Sequence, residues 1–112
     1  ELRWDESVVH FRIHDPTKPL IVASAKLYST EVLEKRQKWF ADLFNTSSPD
    51  RNEIWGFHLN GGDGDTENDM VINRRNMVCT VSVSQVFASN LKKEVKHFDL
   101  VRNKTEEITL EL

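Results

Sequence analysis

The chain has 112 residues, 38% of them hydrophobic and 29% charged, with 15 basic and 18 acidic side chains giving a net charge of −3. That length suits one domain over residues 1–112, and the composition is that of a folded protein rather than a disordered tail. The acidic balance disfavours nucleic acid, which needs clustered positive charge to neutralise phosphates, and no apolar run approaches the ~18–20 residues of a membrane span.

Residues 7–15, SVVHFRIHD, alternate, with Val9, Phe11 and Ile13 on one face and His10, Arg12 and His14 on the other. That is the period of a half-buried strand. The Asp15-Pro16-Thr17-Lys18-Pro19 stretch breaks it, because proline lacks the ladder donor and favours a turn. LIVASAKLY, 20–28, reads as the returning strand of a hairpin.

Ser29 or Thr30 can cap a following helix at about 30–44, with Glu31 and Glu34 placed where the helix dipole favours negative charge. Val32, Leu33, Arg36, Phe40, Leu43 and Phe44 recur at helical spacing and share one face, with Arg36 expected at its border. NTSSPDRN, 45–52, ends the helix. EIWGFHLN, 53–60, alternates Ile54, Gly56 and His58 against Trp55, Phe57 and Leu59, which predicts a strand.

The glycine-rich, acidic stretch GGDGDTEND, 61–69, reads as an exposed loop. A strand is expected at 77–83 with Met77, Cys79, Val81 and Val83 on one side, Cys79 as a small buried hydrophobe. Val86, Phe87, Leu91, Val95 and Phe98 are spaced as a helix would space them, and Ile108, Leu110 and Leu112 alternate as a last strand over 107–112. A lone cysteine allows no intrachain disulfide, and an intracellular address is expected; the glycosylation triplets at Asn45 and Asn103 occur at chance frequency.

Few constellations carry chemistry. Asp63, Asp65, Glu67 and Asp69 alternate as oxygen ligands for calcium could, yet a calcium-binding loop starting at Asp63 would need glycine where Asn68 stands and glutamate where Arg74 stands. His10 and His14 on one strand would lie roughly 13 Å apart, too far to share a zinc ion. His58 and His97 have no glycine-flanked nucleophile to serve. Gly61, Gly62 and Gly64 lack the lysine and helix start of a phosphate loop, and their carboxylate neighbours would repel phosphate. The basic groups Lys35, Arg36 and Lys38, Arg74 and Arg75, and Lys92, Lys93 and Lys96 read as solvated faces. Trp39, Trp55 and Phe57 pack by default, and a partly exposed tryptophan is also a common interface anchor.

Two resemblances follow from these residues. Over about 8–59, the hairpin, LYSTEVLEKRQKWFADLF and NEIWGFHL resemble the opening of BTB/POZ domains. Val32, Leu33, Phe40, Leu43 and Phe44 stand at the family's apolar places, while Ser29 and Gln37 replace its usual histidine and serine. Over 53–86, EIWGFHLN, a loop and MVCTVSVSQV resemble the end of a MATH (TRAF-type) sandwich. The first resemblance implies dimers, links to ubiquitin-ligase scaffolds and a mostly helical second half. The second implies peptide binding and a strand at Trp-Gly-Phe.

The expected fold is α+β: an N-terminal β-hairpin, one strong helix, and a mostly antiparallel sheet packed on it. The expected function is non-enzymatic protein–protein interaction by an adaptor or scaffold, self-association included, through Trp39, Trp55 and Phe57. No cofactor, nucleic acid or membrane is expected. A calcium-responsive module using the 61–69 loop, and a small hydrolase or RNA-acting enzyme using His58 or His97, are the alternatives.

Overall fold

A computed structural model describes residues 1–24 and 26–112. Among them the order is β1 Leu2–Trp4, β2 Val9–Phe11, α1 Thr30–Thr46, α2 Arg51–Asn60, β3 Asn73–Arg74, β4 Val78–Cys79, β5 Ser82–Ala88, β6 Lys92–Asp99 and β7 Lys104–Glu111. The chain is thus mixed α+β, with three antiparallel sheets: β1-β2, β3-β4 and the meander β5-β6-β7.

The N-terminal hairpin uses different partners from those expected. β2 pairs backward with β1, setting Leu2 against Phe11, Arg3 against His10 and Trp4 against Val9. The cause is local. The Asp5 carboxylate accepts from the Ser7 and Val8 amides at 3.0 and 2.8 Å and from the Ser7 hydroxyl at 2.8 Å. That carboxylate-organised turn closes the ribbon before the chain reaches Pro16. Residues 20–24 form no strand, and Ala25 of the expected return lies outside the described residues.

The helix expected at 30–44 is present as α1, with the Ser29 hydroxyl accepting from the Val32 amide at its N-terminus. A second helix stands where a strand was expected. α2 covers 51–60 because Asp50 accepts from the Asn52 and Glu53 amides at 2.7 and 2.9 Å, while Glu53 reaches back to the Asp50 amide at 2.8 Å. This reciprocal cap satisfies the donors that a new helix would otherwise leave open, and it overrides a short alternation. Phe40 of α1 meets Phe44 at 4.7 Å and Phe57 of α2 at 6.2 Å between ring centroids, and this aromatic group joins the helices.

The strand expected at 77–83 is divided. Thr80 turns aside to exchange two hydrogen bonds with Ile72, and Cys79 is exposed rather than buried. The helix spacing at 84–98 is not realised either. β5 and β6 form a hairpin closed at Asn90-Leu91, where the Ser89 hydroxyl accepts from the Leu91 and Lys92 amides. Val86 and Val95 still share a face, because they are cross-strand partners. The final strand is present as β7, longer than the alternation over 107–112 indicated.

The sheet leans on α2 rather than α1. The Gln85 amide donates to the Arg51 carbonyl at 2.7 Å, Arg51 pairs with Glu94 and lies over the Phe87 ring, and Lys96 sits 4.9 Å from the Trp55 ring centre. This contact is largely polar. The apolar interior is correspondingly small, with Ile72, 4% exposed, as its one buried hydrophobic residue among those described.

Arg36 is equally deep at 6%, not at the border of the helical stripe. Its guanidinium donates to the Asn68 carbonyl through Nε and Nη2, and to the Asp69 carbonyl, while stacking 3.9 Å above the Tyr28 ring. Arg74 approaches the same ring and donates to the carbonyls of Glu67 and Leu27 at 2.8 and 2.9 Å. Arg36→Met keeps the length but removes the donors, stranding two carbonyls; it is expected to lower the unfolding free energy in urea by about 2–4 kcal/mol. Arg36→Lys recovers only part, since an ammonium cannot reproduce the fork.

Candidate interaction surfaces

Period-two geometry divides the β1-β2 ribbon into unlike faces. Arg3, His10 and Arg12 lie on one, where His10 meets Asp5 and His14, further along, meets Glu1, each at 2.6 Å. Leu2, Trp4, Val9 and Phe11 lie on the other, and Ile13 continues their alternation. These five side chains are 63–81% exposed. Taking the usual areas of large apolar side chains, they leave roughly 600–700 Å² in water, at or above the largest patch of a typical monomer.

A second open face belongs to β5-β6-β7. The α2 side carries Val83, Gln85, Phe87, Glu94 and Lys96. On the opposite side Val86, Val95 and Ile108 form one cross-strand row, and Ala88, Lys93 and Leu110 form the next, with Lys93 on the central strand. Leu91 and Leu112, joined by a backbone hydrogen bond, extend the patch at one end. The six larger members are 36–78% exposed and together leave about 600 Å² of apolar area.

The whole molecule carries this openness. Its accessible surface is 8786 Å² and its radius of gyration 15.8 Å. A compact monomer of this mass would have roughly 6,300 Å² and about 13 Å.

The residues singled out in the sequence lie apart from both faces. Trp39 is half-buried on α1, Trp55 is half-buried beneath Lys96, and Phe57 stacks between Phe40 and His58. The open faces were visible as alternation in 7–15 and 107–112, but alternation names the residues on a face without saying whether anything covers it.

The acidic loop is committed to its own backbone. Asp69 accepts from the Asp63 and Gly64 amides at 3.0 and 3.2 Å, and Asp65 accepts from the Glu67 amide and the Asn68 side chain. The Asn68 amide, followed by the Glu67 N–H, holds the Asp65 carboxyl below its ordinary range. Lys35 pairs with Asp63 and Arg75 with Glu67. Among the described residues no three carboxylate, histidine or cysteine side chains come together as a metal site. Gly62 has φ +145°, and a Cβ there would meet the Asp69 carboxylate at 2.1 Å, so the loop closes only with glycine at this position.

The histidines remain dispersed. The His58 Nδ1 lies 2.9 Å from the Ile54 carbonyl of its own helix. His97 Nδ1 lies 2.8 Å from the Ser84 hydroxyl, with Glu106 opposite on β7 engaged by Lys104. This row sits on the open sheet face. Lys92 pairs with Glu94, and Lys96 with Glu107.

No family model, curated protein or solved structure matches the chain. Residues 53–60 are helical, and 82–111 form a three-stranded meander.

The apolar ribbon depends on the Asp5 turn. His10 first, then the Val8 amide and the Ser7 hydroxyl, hold the Asp5 carboxyl far below its usual range. A carboxyl lowered on folding adds stability that is present above its unfolded value and lost as the pH falls toward the folded one. Amide protection in residues 2–11 is expected to stay level from pH 7 to 5 and to decline below about pH 4. In Asp5→Ala protection is weaker throughout, and the acid decline is smaller. Hydrogen exchange followed by NMR reads both. In the other loop, Gly62→Ala is expected to lower the thermal midpoint by several degrees.

Proposed function

We propose that this chain is a non-enzymatic protein–protein interaction domain, acting as an adaptor or scaffold. One observation carries the reading: two separate sheet faces with exposed apolar side chains, the ribbon face without a charged residue and the sheet face with Lys93 among its apolar rows. Exposed patches of this size, rimmed by polar residues, mark places where another macromolecule docks. The ribbon face supplies a tryptophan and a phenylalanine, residue types that anchor interfaces. Phe57, against Phe40, and Trp55, beneath Lys96, serve this function from behind by joining the helices and the sheet, and Trp39 is half-buried on α1. Such a role is of the kind both family resemblances imply. An intracellular setting suits the exposed thiol of Cys79, which a reducing compartment keeps free.

The test is comparative capture from cell extract, using the immobilised chain and its Trp4→Ser/Phe11→Ser variant. Specific capture by the parent, lost at least tenfold in a variant with unchanged circular dichroism, is the expected result. Equal capture by both refutes the ribbon face as a docking surface.

A further inference from the structure

We propose that two copies of this chain form a two-fold dimer in which the β1-β2 ribbon of each protomer covers the β5-β6-β7 face of its partner. The proposal rests on the interaction reading above and narrows the partner to a second copy.

Area is the first argument. One ribbon seated on one sheet face removes about 1,200–1,300 Å² from water, the lower limit of a stable interface. Two-fold symmetry repeats the contact, and the total of about 2,500 Å² falls in the range of obligate dimers. Pairing like with like, ribbon on ribbon or sheet on sheet, buries one face of each protomer and leaves the other in water. Reciprocal exchange covers both with one symmetry axis.

Shape is the second argument. Stacked sheets lie about 10 Å apart, a gap that side chains from both must fill. The sheet face is low at Val86, Ala88 and Val95, with Lys93 rising between Ala88 and Leu110. Two such floors facing one another would leave voids, and voids forfeit dispersion contacts. The ribbon carries the bulk that the floor lacks in Trp4 and Phe11. Its apolar face also bears no ionisable side chain, whereas the floor carries Lys93 on its central strand between Ala88 and Leu110, and Glu106 beyond the Val86-Val95-Ile108 row, so floor against floor would set two lysines in one contact. A lipid surface is the lesser candidate. The net charge is −3, and the reverse side of the ribbon mixes Arg3 and Arg12 with Glu1 and Asp5 rather than presenting a basic stripe.

Sedimentation velocity on the purified chain tests the proposal. A species of 26.0 kDa, twice the 13.0 kDa of one chain, is expected at micromolar concentration. Phe11→Glu on the ribbon and Ile108→Glu on the sheet, each with parental circular dichroism, are expected to weaken dimerisation at least 100-fold. Trp4→Ser and Val86→Ser are milder replacements should either charge disturb folding. Mixing a ribbon variant with a sheet variant is expected to restore a heterodimer, since one of the two contacts is then intact.

A monomer at all concentrations overturns the proposal. So does a dimer sensitive to only one of the two faces, or a mixture that stays monomeric. A monomer that co-sediments with phosphatidylcholine–phosphatidylserine vesicles overturns it in favour of a membrane surface. A purified monomer that still loses its extract partners in Trp4→Ser/Phe11→Ser overturns the dimer and leaves the interaction reading standing. Loss of both results overturns both.

Discussion

A guanidinium taken out of water without a carboxylate beside it must find its compensation in dipoles, and Arg36 does so. Among the described residues it forms no ion pair. The carbonyls of Asn68 and Asp69 receive its donors, and the Tyr28 ring lies against its plane. A neutral π-face and backbone oxygens can hold a weakly hydrated, planar cation where an ammonium would remain poorly solvated. The arrangement ties three remote pieces of chain together: the approach to α1, α1 itself, and the turn at 67–69. Arg74 repeats the device from the other side of the turn, reaching the Glu67 and Leu27 carbonyls. The acidic loop therefore has a folding role. Its side chains shape the turn, and the turn's carbonyls hold the arginine.

The remaining contacts are of a different kind. α2 meets the meander through Arg51, Glu94, Gln85, Lys96 and Trp55, a set dominated by charge and hydrogen bonding. Lys92, and then Arg51, keep the Glu94 carboxyl below its ordinary range, so this contact draws on pairing as well as on burial. Partly exposed pairs of this sort are weakened by salt and contribute little each. A molecule assembled this way keeps much of its apolar surface outside its own core.

The sequence disclosed these features unevenly. α1 was legible because seventeen residues sustain one helical stripe behind a serine cap. The final strand was legible because period two persists from Ile108 to Leu112. α2 was obscured by a short alternation, although the decisive signal, Asp50 with Glu53 three residues on, lay immediately before it. The β5-β6 hairpin was hidden by a coincidence: Val86, Leu91 and Val95 fit helical spacing and also fall on one side of a hairpin whose turn is Asn90-Leu91. Arg36 could not have been placed from pattern alone. Its burial depends on carbonyls more than thirty residues away, and charge in a helical stripe ordinarily marks a border. Coverage of a face is likewise a tertiary property.

That last distinction bears on the ribbon. A two-stranded hairpin in water is marginal by itself. Here its polar side is secured by the Asp5 turn and by the Glu1–His14 contact, while the side chains of its apolar side stay largely in water. Any occupant of that side removes Trp4 and Phe11 from water only while the strands stay paired. Binding and pairing must then strengthen one another, because a ligand that prefers the ordered form shifts the equilibrium toward it. Polar and apolar residues are strictly separated across β1 and β2: one side carries the contacts that close the ribbon, and the other stays open to water.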